Sequence, residues 1–221
     1  MKIFLDTADV NMVRKYNNYG IIDGVTTNPA LIARQGLNFK TVVEEICSIV
    51  DGPVSAEVVS EDYEGMVREA HLLAKLHRNI VVKLPANHNG YRALNALRGY
   101  DIKTNLTVVY SANQALIAAK LGATYVSPFV GRLDANSTNG VDLIKEIALI
   151  YKNYNLSTQI LAASMRNVIY VKEAALAGAH VATIPPEIID LMMVNELADI
   201  SLSGFLSEWH KLPAEMREYF K

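Results

Sequence analysis

The run Ile80-Val81-Val82-Lys83-Leu84-Pro85 sets one lysine among apolar neighbours. Burial disfavours an ammonium and favours the neutral amine, the form that attacks a carbonyl to give a Schiff base. The plain alternative is a lysine whose stem packs on the core while its head reaches water. Other residues able to do chemistry stand at the ends of similar apolar runs: Asp6, Thr26-Thr27-Asn28, Glu57, Asn105 with Thr107, Ser127 with Arg132, and Ser164 with Arg166. Glu57 could shuttle protons as a carbinolamine forms and loses water, and Asp6 could take the proton of a substrate hydroxyl. Arg132 and Arg166 could grip a phosphate through charge-assisted hydrogen bonds. Each has a duller reading. Asp6 and Thr7 could cap a helix, Asn28-Pro29 could be turn chemistry, Glu57 could hold Lys83 charged in an ion pair, and each arginine could sit in a surface salt bridge.

The elements that must position this set follow from hydropathy patterning. Strands are expected at Lys2–Asp6, Ile22–Val25, Val54–Val58, Ile80–Leu84, Ile102–Val108, Tyr125–Phe129, Gln159–Ala162 and His180–Ile184. Helical patterns lie between them, among them Thr41–Val50, Asp62–Leu76, Tyr91–Leu97, Asn113–Leu121, Val141–Tyr151 and Asn167–Leu176. Ser111 stands where an N-cap belongs, and Gly122 and Gly178 where helices end. Alternation of near-continuous apolar strands with amphipathic helices predicts a (β/α)₈ barrel, with an open doubly wound sheet as the alternative. In a barrel the carboxyl ends of the strands converge, so the polar residues would share one mouth. No linker composition interrupts the pattern, which predicts one domain over residues 1–221 with a C-terminal helical segment over about 199–221.

Composition narrows the class. A net charge of −2 with interspersed signs gives no footprint for nucleic acid or an anionic membrane. No apolar run reaches the length of a membrane span and the first residues do not read as a signal peptide, so a cytoplasmic protein is expected. Cys47 is the sole cysteine, which excludes an intrachain disulfide and a cysteine metal cage. The five histidines are scattered without ligand spacing. Neither G-x-G-x-x-G after the first strand nor a phosphate-binding G-x-x-x-x-G-K-[ST] loop is present.

Six motifs in order make the chain resemble the small transaldolases: Phe4-Leu5-Asp6-Thr7-Ala8, Gly24-Val25-Thr26-Thr27-Asn28-Pro29, Val82-Lys83-Leu84-Pro85, Thr104-Asn105-Leu106-Thr107, Ser127-Pro128-Phe129-Val130-Gly131-Arg132 and Ala163-Ser164-Met165-Arg166-Asn167. The resemblance implies a (β/α)₈ barrel that moves a dihydroxyacetone unit from a ketose phosphate to an aldose phosphate in the non-oxidative pentose phosphate pathway. It implies Lys83 as the Schiff-base lysine, Glu57 and Thr107 as holders of a proton-carrying water, and Asp6 as the base at the C4 hydroxyl. Asn28 and Asn105 would orient the dihydroxyacetone hydroxyls, Ser127 would line the same pocket, and Ser164, Arg132 and Arg166 would bind phosphate. The protonated imine is the electron sink, so no metal or other cofactor is implied.

The related fructose 6-phosphate aldolases carry glutamine at the position of Glu57 and tyrosine at that of Phe129, so both positions here are of the transaldolase kind. Two departures stand out: Met165, where many relatives have phenylalanine, and Ala86-Asn87-His88-Asn89, an unusual turn after the lysine. Leu202, Phe205, Leu206 and Trp209 fall at helical spacing near the C-terminus. They could pack on their own barrel; the resemblance implies instead a helix laid on a neighbouring subunit in a ring-built homo-oligomer, a pentamer or decamer.

Overall fold

A computed structural model describes residues 1–220, so Lys221 of the expected C-terminal segment lies outside the described residues. The first half runs β1 (Lys2–Asp6), α1 (Val10–Asn18), β2 (Gly24–Thr26), α2 (Pro29–Gln35), α3 (Phe39–Ile49), β3 (Val54–Glu57), α4 (Tyr63–Ala74), β4 (Ile80–Pro85) and α5 (His88–Leu97). The second continues with β5 (Thr104–Val109), α6 (Ala112–Lys120), β6 (Tyr125–Pro128), α7 (Val130–Asp134), α8 (Gly140–Asn153), β7 (Gln159–Ala162) and α9 (Val168–Leu176). It ends in β8 (Val181–Ile184), α10 (Pro186–Met192), α11 (Glu196–His210) and a 3₁₀ segment, Ala214–Phe220. Every strand pairs in parallel with the next, and β1 also pairs with β8. That last ladder closes the barrel and rules out the open sheet.

The expected strands and helices are present, with shifts at their ends. β2 begins at Gly24 because the Asp23 carboxylate accepts the Ile3 N–H at 2.8 Å, holding the chain beside β1 before the ladder starts. Ser111 and Gln114 form a capping box on α6, and Gly122 and Gly178 end helices at φ +83° and +92°. The stretch read as a turn at Ala86–Asn89 is a helix start: Asn87 caps α5 by accepting the Gly90 N–H at 2.8 Å. Asp6 caps nothing, since Asp9 supplies the cap of α1. Asn28 does cap α2, with Pro29 in the first turn.

Two separate apolar clusters divide the protein. The larger lies between strands and helices; the smaller, Phe4, Val81, Tyr125, Leu161, Ala163 and Val181, fills the barrel interior. Side chains two residues apart on a strand share a face. The apolar layer of Phe4, Val81, Tyr125 and Val181 therefore continues upward as Asp6, Lys83, Ser127 and Thr183, so one alternation makes a dry floor under a polar mouth.

α11 has no buried residue, and Leu197 and Phe205 are 73% and 72% exposed, so this helix does not pack on its own barrel. Among the described residues no helix is long and apolar enough to cross a membrane.

Gly24 lies where β2 passes the floor. A Cβ there would meet the Pro53 carbonyl oxygen at 2.6 Å and the Phe4 ring at 2.8 Å. Gly24→Ala is expected to cost about 1–3 kcal/mol by overpacking, at ~2–4 °C of Tm per kcal/mol. A thermal melt coinciding with that of the parent would show that the floor has slack.

Candidate active site

At the carboxyl end of the barrel a cavity of about 200 Å³ opens. Of the residues singled out from sequence, Asp6, Asn28, Lys83, Thr107, Ser127, Phe129, Arg132, Ser164 and Arg166 line it. Glu57 and Asn105 do not: both stand behind the wall. Asn105 is fully buried, accepting from Ser127 Oγ at 2.8 Å and reaching Ser55 Oγ at 3.4 Å through Nδ2.

Lys83 is the centre of this arrangement. Parallel register sets Glu57 of β3 beside Lys83 of β4, and Lys83 Nζ lies 3.0 Å from Glu57 Oε2. Nζ also donates to the Thr27 carbonyl at 3.3 Å. The lysine side chain is 8% exposed, so its head does not escape to solvent. The ion pair foreseen as the dull reading is real, yet it also puts a carboxylate within proton-transfer distance of the amine. Lysine and carboxylate thus form an acid–base couple against a cavity large enough for a small carbonyl compound. On its far side Glu57 borders a second pocket, lined with it by Phe39, Val59, Glu69, Leu72 and Leu73.

Thr107 faces the cavity two residues beyond the inward-facing Asn105 on β5, beside an irregularity. The β5–β6 register shifts between Leu106 and Val109, and Val108 adopts φ +61°, strained for a β-branched residue. The Thr107 hydroxyl is buried and has no hydrogen-bond partner among the described residues. A polar atom so placed is suited to a water or substrate oxygen.

Asp6 sits on the opposite wall, its Oδ1 accepting from Thr26 Oγ1 at 2.9 Å. Burial raises its pKa above the usual carboxylate value; the Lys83 cation and the Thr26 hydrogen bond oppose that rise, and Glu187 and Glu57 add to it. A carboxylate with raised proton affinity is a fitting general base.

The end of the cavity that carries Arg132 and Arg166 is made by two joined loops. Val130 and Gly131 donate their N–H groups to the carbonyls of Ala163 and Ser164 at 3.0 and 3.2 Å. Ser164 is held at φ +61°, and a Cβ on Gly131 would sit 2.3 Å from the Ser164 oxygen and 3.0 Å from the Arg166 side chain. Glycine therefore lets Arg166 lie across the joint. Arg132, on α7, has its guanidinium 5.4 Å from the Phe129 ring, which meets Tyr110 edge-on at 5.9 Å. Neither arginine takes part in an ion pair among the described residues, so the surface salt-bridge reading fails and two cations face one cavity.

The family model described as transaldolase/fructose-6-phosphate aldolase matches residues 3–218. The chain belongs to that family. A probable transaldolase of Caldicellulosiruptor saccharolyticus is 54% identical over 214 residues, covering 96% of this chain and 99% of the relative. Another from a Thermoanaerobacter species is 52% identical over 211 residues, covering 96% and 98%. Among solved structures, a thiamine phosphate pyrophosphorylase from Pyrococcus furiosus matches with a TM-score of 0.57 at 16% identity, covering 83% of this chain and 85% of that one. A mandelate oxidase mutant matches with a TM-score of 0.57 at 13% identity, covering 80% and 59%. Those two likenesses are of fold alone.

Within this transaldolase/aldolase frame, Met165 is buried in the outer cluster and does not line the cavity. Sequence reasoning left Thr183, Leu161 and Ala163 out of the site. Two-residue alternation from Val181, read at the end of β8, is the signal that would have found Thr183.

Because Asp6 has a higher pKa folded than unfolded, its ionised form opposes folding at neutral pH, and that penalty is absent below about pH 3.9. Asp6→Asn should raise Tm at pH 7, with the gain shrinking on acidification through the folded pKa. The same substitution should lower turnover at least ~10²-fold. Melts across pH with matched assays check both; a variant destabilised at pH 7 would contradict the sign.

Proposed function

We propose that this protein is a transaldolase carrying a dihydroxyacetone unit from sedoheptulose 7-phosphate or fructose 6-phosphate to glyceraldehyde 3-phosphate or erythrose 4-phosphate, within the non-oxidative pentose phosphate pathway. The observation that carries it is Lys83, buried and 3.0 Å from Glu57, across a cavity from two arginines that have no ion-pair partner among the described residues. The Lys83 amine attacks the ketose C2 carbonyl. Glu57, through a water held with Thr107, moves the protons that turn the carbinolamine into an imine and release one water. Asp6 takes the C4 hydroxyl proton, the C3–C4 bond breaks, and its electrons pass into the protonated imine, leaving an enamine on Lys83. The aldose phosphate departs, a second aldehyde enters, C3 attacks it, and Asp6 returns its proton to the new hydroxyl; one water then adds to the regenerated imine at C2, and loss of the Lys83 amine frees the product ketose.

Asn28 and Ser127 hold the dihydroxyacetone hydroxyls in this reading, Asn105 orients Ser127 from behind by accepting its hydroxyl hydrogen, and Arg132, Arg166 and Ser164 hold the phosphate. Glu57 and Phe129 favour transfer over free aldol cleavage. A tyrosine hydroxyl at 129 would help protonate the enamine and release the ketone; a phenylalanine ring instead leaves the enamine to wait for an acceptor. One barrel domain in the cytoplasm suffices for this chemistry. α11 supports the homo-oligomer: with Leu197, Ile200, Leu202, Phe205 and Leu206 all exposed, its apolar surface fits a neighbouring copy in a ring.

Glyceraldehyde 3-phosphate release from fructose 6-phosphate tests the reaction. Sustained release only with erythrose 4-phosphate present is the expected result; equal release without acceptor would make the protein an aldolase. For assembly, sedimentation of the full chain should give a closed oligomer, and Phe205→Glu with Leu206→Glu should shift it to monomers. An unchanged sedimentation coefficient would remove α11 from the interface.

A further inference from the structure

We propose that Thr183 is a positioning residue for Asp6, acting through Thr26 as the far end of a two-hydroxyl chain that fixes which carboxylate oxygen works as the base. The inference rests on Asp6 being the base of the proposed reaction. β1 lies between β2 and β8, so Thr26 and Thr183 approach Asp6 from opposite strands and meet beside it. Thr26 Oγ1 donates to Asp6 Oδ1 at 2.9 Å and is itself in hydrogen-bond contact with Thr183 Oγ1.

Proton counting gives the chain a direction. An ionised carboxylate only accepts, and a threonine hydroxyl has one proton to give. With the Thr26 proton on Asp6, the Thr26–Thr183 contact is a hydrogen bond only if Thr183 donates. Thr26 and Thr183 are 2% and 3% exposed, so the order is set by protein groups. One lone pair of Oδ1 is thereby used, which leaves Oδ2 the freer oxygen for a substrate hydroxyl.

The chain also tunes the base. A donor that is itself receiving a hydrogen bond is a stronger donor, because chained hydrogen bonds polarise one another. Thr183 thus stabilises the ionised form of Asp6 from two groups away, against the desolvation that favours the neutral acid. The other charged groups bearing on Asp6 are Lys83 on β4, Glu57 on β3 and Glu187 on α10, with Arg132 and Arg166 on the rim of the same cavity. None of them is altered by a threonine substitution.

The test is the acid limb of kcat/KM, which reports the base in the free enzyme. Thr26→Val should move that limb to higher pH by about 1–2 pH units, the worth of a hydrogen bond to a charged group. Thr183→Val should move it the same way by up to about half a pH unit, and Thr183→Ser, which keeps the hydroxyl, should restore it. Since Thr183 acts through Thr26, the double variant should match Thr26→Val alone. Should Thr183→Val not fold, Thr183→Ala carries the same measurement. An acid limb unmoved in Thr183→Val, or a double variant that adds the two shifts, overturns the proposal. Asp6→Asn separates the two levels: near-parent turnover in that variant would refute Asp6 as the base, whereas an inactive Asp6→Asn beside an unshifted Thr183→Val would refute only the positioning role.

Discussion

A lysine and a glutamate held 3.0 Å apart inside a protein constrain everything near them. Taking both groups from water costs several kcal/mol per ion, and only good geometry with further hydrogen bonds offsets that. The barrel meets the condition through its ladder: β3 and β4 pair with Glu57 and Lys83 as register partners, and the Thr27 carbonyl accepts from the same nitrogen. A one-residue slip would turn both charges into the apolar cluster outside the barrel. Parallel pairing of these two strands is therefore inseparable from the chemistry that the pair supports.

The alternation that supports the pair was legible in the chain. A lysine in an apolar run, and polar residues at the ends of six other runs, follow from the two-residue period of strands that are dry below and wet above. Capping at Ser111 and helix ends at Gly122 and Gly178 were legible too, because a cap is a local bargain between a side chain and its own backbone. The β2 boundary was not, because it depends on Asp23 taking the Ile3 N–H from 20 residues away. Nor was the rearward position of Glu57 and Asn105: spacing says which face a side chain takes, not how deep its polar atoms lie. Val108 offers no local hint of φ +61°, since a β-branched residue is the last that propensity would put there.

That strained residue and Ser164, also at φ +61°, flank the same cavity. Each costs of order 1–3 kcal/mol and persists only where the surroundings over-determine it. At Val108 the surroundings are the β5–β6 irregularity, directly after the inward-facing Thr107. At Ser164 they are the paired carbonyls that receive Val130 and Gly131. Strain is thus placed beside groups that face the cavity, and the rest of the barrel supplies the stability to hold it.

In the proposed reaction Asp6 completes the logic, because the work assigned to it is symmetrical. A base that takes a proton when one carbon–carbon bond breaks must return it when the next forms, so neither protonation state can be strongly preferred. Burial, Glu187 and Glu57 push toward the neutral acid; Lys83 and Thr26 push toward the carboxylate. In that proposed cycle Lys83 changes charge character as it becomes an iminium and then a neutral enamine, so its pull on Asp6 would weaken once the bond has broken and a proton has arrived there. The lysine proposed to accept the electrons would thereby let the carboxyl group keep the proton until an acceptor demands it back.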